Sequence, residues 1–118
     1  MLANRDATVG EQAVVAGWGE DVSGGGGITL RAGTVAVSVV RDIYIQTTYL
    51  GANSSGVCWG DSGGPLFVSQ GGTWVVAGVL SMMSSGNCVV NDTGVFLELR
   101  NPSVQAFVVA QVPDISRR

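Results

Sequence analysis

Short apolar runs punctuated by glycine run the length of the chain. Ala13 to Gly17 (AVVAG) has the size and residue types of a buried strand and ends at Trp18-Gly19. Glu20 to Gly27 finishes in four consecutive glycines and reads as a flexible loop. Ile28 to Val40 holds Thr34, Val35, Val37, Val39 and Val40, β-branched residues that suit a pleated surface, and is predicted as a strand. Asp42 to Tyr49 is ambiguous, with a strand as one reading, and Gly51 to Gly56 is a polar loop. Pro65 to Ser69, Trp74 to Met82 and Gly94 to Arg100 are three further strands. Gln70-Gly71-Gly72 joins the first two as a hairpin. Asn101-Pro102 is a helix start, a capping side chain followed by proline in the first turn. Val104, Phe107, Val108 and Val112 then recur at helical spacing, so one terminal helix over about 102–112 follows. Pro113 to Arg118 reads as a frayed tail.

Composition agrees with a folded β domain. The chain has 118 residues, 46% hydrophobic and 13% charged, with 18 glycines against 3 prolines. That is enough for one core and too apolar for disorder. A net charge of −3 without a basic run makes nucleic acid and anionic membrane poor partners. No apolar stretch reaches the roughly 18 residues of a spanning helix. Met1 to Gly10 lacks the apolar middle of a signal peptide. Cys58 and Cys88 are equally compatible with two buried thiols and with one bridge.

The segment with chemistry is Cys58-Trp59-Gly60-Asp61-Ser62-Gly63-Gly64-Pro65-Leu66. Its serine lies between glycines, beside a carboxylate, just before a strand. Glycine allows a sharp bend that can aim adjacent N–H groups at one point, where an oxyanion would be stabilised. A hydroxyl facing that point suits acyl transfer through a covalent intermediate. The bland reading is a glycine-rich turn with an exposed serine. Gly60 to Gly64 also satisfies G-x-S-x-G, the elbow of α/β-hydrolases, but that elbow needs a helix after the serine and a later histidine. Here an apolar β-like run follows Pro65, and the chain contains no histidine.

The longer string GDSGGPL, with a cysteine at Cys58, resembles the active-site segment of chymotrypsin/trypsin-like serine proteases. The resemblance extends along nearly the whole chain. AVVAGWG (Ala13 to Gly19) is similar to the strand opening that family's second barrel. WVVAGVLS (Trp74 to Ser81) resembles its strand ending at the substrate-binding serine, and TGVF (Thr93 to Phe96) its P-G-V-Y strand start. Only Pro113 onward and the first few residues fall outside. The resemblance implies an all-β fold, an antiparallel six-stranded Greek-key barrel with a C-terminal helix, spanning residues 1–112 with a 113–118 tail.

The same resemblance implies roles. Ser62 would be the nucleophile, with the N–H groups of Gly60 and Ser62 as the oxyanion hole. Asp61 would pair with an amino terminus freed by zymogen cleavage, which forms the pocket. Cys58 and Cys88 match a family disulfide beside the specificity pocket. Ser81 would line the site, and the backbone from Ser81 through Met82 to Met83 would take substrate as an added strand. Gly56 marks the pocket floor, with Val57 beside it; neither is acidic, so arginine and lysine have no counter-ion. Gly94 would lie on the pocket wall and Trp59 would border the site. A methionine at Met83 is expected at the pocket mouth. These features imply small or aliphatic P1 residues, or a partly closed pocket.

A serine hydroxyl needs an adjacent base, and the histidine and aspartate of such a triad come from the family's first barrel. The expectation is therefore a C-terminal half whose first barrel is missing or supplied separately. Such a parent would be a secreted serine endopeptidase acting on protein or peptide substrates, and this chain alone would be inert. The alternative is a non-catalytic protease homologue serving as a binding or regulatory module. Nothing points to a cofactor or metal; Asp92 and Glu98 lack ligand clustering. Asn53-Ser54-Ser55 and Asn91-Asp92-Thr93 match the glycosylation pattern.

Overall fold

The computed structural model of the chain describes residues 1–20, 25–51, 54–85 and 87–115. Six strands form in chain order: β1 Gln12–Gly17, β2 Arg31–Val40, β3 Tyr44–Thr48, β4 Pro65–Gln70, β5 Thr73–Met83 and β6 Thr93–Glu98. One helix follows, α1 Pro102–Gln111. The strands close into a barrel in the order β1-β2-β3-β6-β5-β4. Every neighbouring pair of strands is antiparallel. The expected all-β barrel with a terminal helix is the fold observed.

The barrel fills itself by the two-residue period of its strands. Ala13 and Val15 of β1, Val35 and Val37 of β2, and Ile45 and Thr47 of β3 point inward and are buried. Leu66 and Val68 of β4, Val75 and Ala77 of β5, and Phe96 of β6 meet them. Each large apolar side chain withdrawn from water in this way contributes about 1.5–3 kcal/mol. The predicted hairpin is present: Gln70 pairs with Thr73 across a two-residue turn. Gly71 and Gly72 both hold positive φ (59° and 81°), as a turn matched to strand twist demands.

Three stretches differ from the sequence reading by more than a single residue at an end. β2 begins at Arg31 rather than Ile28, whose side chain is 91% exposed beside the glycine run. The ambiguous stretch from Asp42 resolves into β3, its alternating burial set by Ile45 and Thr47. β6 ends at Glu98, where Leu99 and Asn101 turn into the helix through Leu99 N–H to Ala77 O and Asn101 N–H to Glu98 O.

The first residues belong to the barrel. Leu2 makes a parallel bridge to Val76, with Val76 N–H donating to Met1 O and Ala3 N–H to Val76 O. Leu2, Ala3 and Ala7 are buried. Arg5 clamps this segment, donating to both carboxylate oxygens of Glu11 at 2.8 and 2.7 Å and to Ser69 O. At the other end, Asn101 caps α1 through Oδ1, which accepts from Ser103 and Val104 N–H. The apolar spacing of α1 finds no cover among the described residues: none of its residues is buried, and Phe107 is 66% exposed.

Candidate active site

The serine loop hangs between β3 and β4 and is held from three sides. The Cys58–Cys88 disulfide joins it to the β5–β6 connection across 30 residues. Gly63 N–H donates to Leu80 O, and Leu80 N–H donates to Gly64 O, which lashes the loop to β5 one residue before Ser81. Asp61 provides the third tie. Its Oδ1 accepts from Gly19 N–H and its Oδ2 from Cys58 N–H, each at 2.9 Å. Within the loop, Asp61 N–H donates to Cys58 O and Gly64 N–H to Asp61 O. Gly60 and Gly63 sit at φ 90° and 84°, conformations strained for any residue with a Cβ.

This bend leaves Ser62 exposed. The N–H groups of Gly60 and Ser62 have no acceptor among the described residues, and neither does Ser62 Oγ. After Ser62 the chain enters β4, an antiparallel strand, so the strand–helix corner of an α/β-hydrolase is ruled out. The hydroxyl also lies outside the packed core.

Next to the loop, β5 outruns β4. The β4 pairing stops at Val79, whereas β6 pairs with β5 out to Met83. A register shift between Leu80 and Met82 places a bulge at Ser81. Ser81 to Met83 is therefore hydrogen-bonded along one side. Ser81 and Met82 are exposed, Met82 at 58%, while Met83 is half-buried against the core. Trp59 is 55% exposed. Val57 is buried, and Gly94, opposite Met83 on β6, is buried as well.

A cavity of about 290 Å³ lies behind the loop, with apolar walls from Val15, Val57, Leu80 and Phe96, and with Asp61 in its lining. Glu20 and Arg31 also belong to its lining. On the other side of the disulfide, Asp92 knits the 84–93 connection by accepting from Ser85 Oγ at 2.7 Å and Val89 N–H at 3.0 Å. The Ser85 hydroxyl, then the Val89 amide, hold the Asp92 carboxyl below its ordinary range. Glu98 lies elsewhere, buried and accepting from Arg100 N–H, so the two carboxylates share no site.

A family model described as Trypsin matches residues 2–103. The chain belongs to the trypsin family. The trypsin-family match starts at Leu2 and ends at the first turn of α1. The opening residues, buried against β5, lie inside it, and most of the helix lies outside. Sequence reasoning missed Gly19 and Leu80, whose backbone fixes the serine loop, and Tyr49, whose side chain crowds Gly56. Only Gly19 left a signal, within the AVVAGWG string. Of the two glycosylation patterns, Asn53 falls outside the described residues. Asn91 is exposed at φ 75°, its N–H donating to Tyr49 O.

Proposed function

We propose that the chain is the nucleophile-bearing barrel of a serine endopeptidase. Ser62 Oγ attacks the substrate carbonyl and forms an ester as the amine leaves; water then hydrolyses the ester. The observation that carries this reading is the exposed Ser62 on a bend whose Gly60 and Ser62 amides have no acceptor among the described residues, which leaves both to a developing oxyanion. The one-sided strand at Ser81 to Met83 offers backbone groups to an extended peptide, which would align its carbonyl with the neighbouring loop.

The proton acceptor is a histidine from outside these 118 residues, since the sequence contains none. It comes with an aspartate from a first barrel carried by the same parent polypeptide or a separate chain. Asp61 receives a chain amino terminus in the 290 Å³ cavity, where a carboxylate at the end of apolar walls suits an ammonium with an aliphatic first side chain. The amino group of Met1 does not fill that role, because Met1 is tied to Val76 on β5. The disulfide fits a secreted parent in an oxidising compartment.

Fluorophosphonate labelling followed by peptide mass analysis tests the reading. The 118-residue chain stays unlabelled. The coding sequence extended upstream to include the first barrel becomes labelled on Ser62, and Ser62→Ala abolishes the label. An extended protein that folds yet takes no label overturns the enzyme and leaves the non-catalytic homologue.

A further inference from the structure

We propose that the pole of the barrel remote from Ser62 carries a second binding site, a groove that takes a primary ammonium group on an alkyl chain, with Glu98 as its acceptor. The site does not depend on whether the chain is catalytic. β3 separates the two places: it starts beside the groove at Tyr44 and ends at Thr48, on the side of the serine loop.

The inward row of β6 ends in a carboxylate. Gly94, Phe96 and Glu98 are the buried positions of that strand, and Glu98 is only 4% exposed. Burying a carboxylate is costly unless it is hydrogen-bonded and paired. Here that is half done. Glu98 Oε1 accepts from the Arg100 N–H at 3.0 Å, whereas Oε2 has no donor among the described residues. The Arg100 guanidinium reaches Asp6 instead, at 2.6 Å. Among the described residues, every side-chain oxygen or nitrogen sealed from solvent has a hydrogen-bond partner. Oε2 is therefore not sealed, and it opens on the groove that Glu98 lines.

The groove measures about 890 Å³ and has Val40, Ile43 and Pro102 as apolar walls. Two bonds fix those walls: Glu98 N–H to Ile43 O at 2.9 Å and Asn101 Nδ2 to Asp42 O at 3.1 Å. Of the lining residues only Glu98 is buried, so it forms the floor, while Ile43, Asp42 and Pro102 stand exposed at the mouth. Apolar sides above a carboxylate floor match an alkylammonium. Its methylenes lie against the walls and its –NH₃⁺ donates to Oε2. The Asp42 carboxylate and the Tyr44 hydroxyl, also in the lining, offer further acceptors. A guanidinium fork is matched less well, because Glu98 has one open oxygen rather than two. Three carboxylates (Asp6, Asp42 and Glu98) face two cations here. Of the cations, Arg100 is engaged by Asp6, and Arg41 donates to Val40 O. An anionic ligand would set a second negative charge beside a carboxyl that burial already pushes up.

An NMR titration of the 118-residue chain tests the site, following the Ile43, Glu98 and Arg100 amides. The probes are 1-aminopentane, N-acetyl-lysine methylamide and pentanoate. Saturable shifts with both amines identify a lysine side chain as an acceptable source. Shifts with 1-aminopentane alone identify a small free amine, and either result supports the site. Pentanoate leaves the amides still. Saturating amine also lowers the pH at which the Glu98 carboxyl titrates in carbon NMR spectra. Glu98→Gln keeps an acceptor for the Arg100 amide and weakens amine binding at least about tenfold, as expected when a charged acceptor becomes neutral. Should that variant fail to fold, Asp42→Asn gives a smaller loss of about threefold. No saturable shift with either amine, pentanoate binding as tightly, or unchanged amine affinity in Glu98→Gln overturns the site. Shifts centred on the Gly19 and Cys58 amides would place the amine on Asp61 and overturn it as well.

Discussion

Asp61 Oδ1 accepts the Gly19 amide at 2.9 Å, a bond that fastens the serine loop to the end of β1 across 42 residues of chain. Gly19 can serve only because it is bare. A Cβ there would stand 2.5 Å from the Asp61 carboxylate carbon. Gly19→Ala must therefore push the carboxylate off both of its amide donors. The expected loss is about 1–3 kcal/mol, the usual cost of overpacking. It is read from the urea midpoint, together with faster hydrogen exchange at the Cys58 amide. Unchanged Cys58 exchange would mean that the carboxylate does not hold the loop.

Opening the Cys58–Cys88 bridge releases the serine loop from the β5–β6 connection. With the cysteines 30 positions apart, the chain-entropy model gives a loss of about 3–4 kcal/mol. Cys58→Ser with Cys88→Ser lowers the denaturation midpoint accordingly. Amide shifts are confined to residues around 56–64 and 84–93, and the barrel strands keep theirs.

Two glutamates pull the pH profile in opposite directions. The Arg5 guanidinium, through its paired hydrogen bonds, holds the Glu11 carboxyl below the ordinary value of 4.5. Its stabilisation is present above that value and is lost as pH falls through the depressed folded-state pKa. Burial pushes the Glu98 carboxyl up. Glu98 therefore stabilises the fold most when protonated, and that contribution disappears as pH rises through its raised folded-state pKa. Glu98→Gln keeps an oxygen for the Arg100 amide and removes the charge. It raises the melting temperature at about pH 7, with the gain shrinking toward about pH 4. Glu11→Gln lowers the melting temperature at about pH 7, and its deficit shrinks on acidification.

Gly72 isolates backbone strain from packing. Its φ is 81°, and a Cβ there would meet nothing within 4 Å. Gly72→Ala costs about 1–2 kcal/mol through the left-handed conformation alone. Thermal melts measure the loss, and NMR shows no shifts beyond the β4–β5 turn.

Much of this was written in the chain. The alternation of Ala13 with Val15 and Val35 with Val37, and the Gly71-Gly72 turn, specify strands and a hairpin by local chemistry. The GDSGGPL string located Ser62 because its glycines are needed for the bend itself, at Gly60 and Gly63. What the chain could not disclose depends on which residues meet across the barrel. Val57 fills the space over Gly94, because the β5–β6 register and the disulfide bring residues 37 apart in sequence into contact. The cavity lined by Asp61 has walls from four separate segments and no linear signature. The spacing of Val104, Phe107 and Val108 gave the helix correctly but says nothing of what covers it.

The two seams that shut the ring, Val14 against Phe67 and Ile45 against Phe96, join distant stretches of chain, whereas the other four pairings link successive strands. During synthesis β1, β2 and β3 can zip together early but must then wait, with Ala13, Val35 and Ile45 uncovered, until β6 has left the ribosome. Such waiting slows folding and leaves sticky, half-built sheet in a crowded cell. Yield on expression will thus depend on temperature and translation speed more than on final stability.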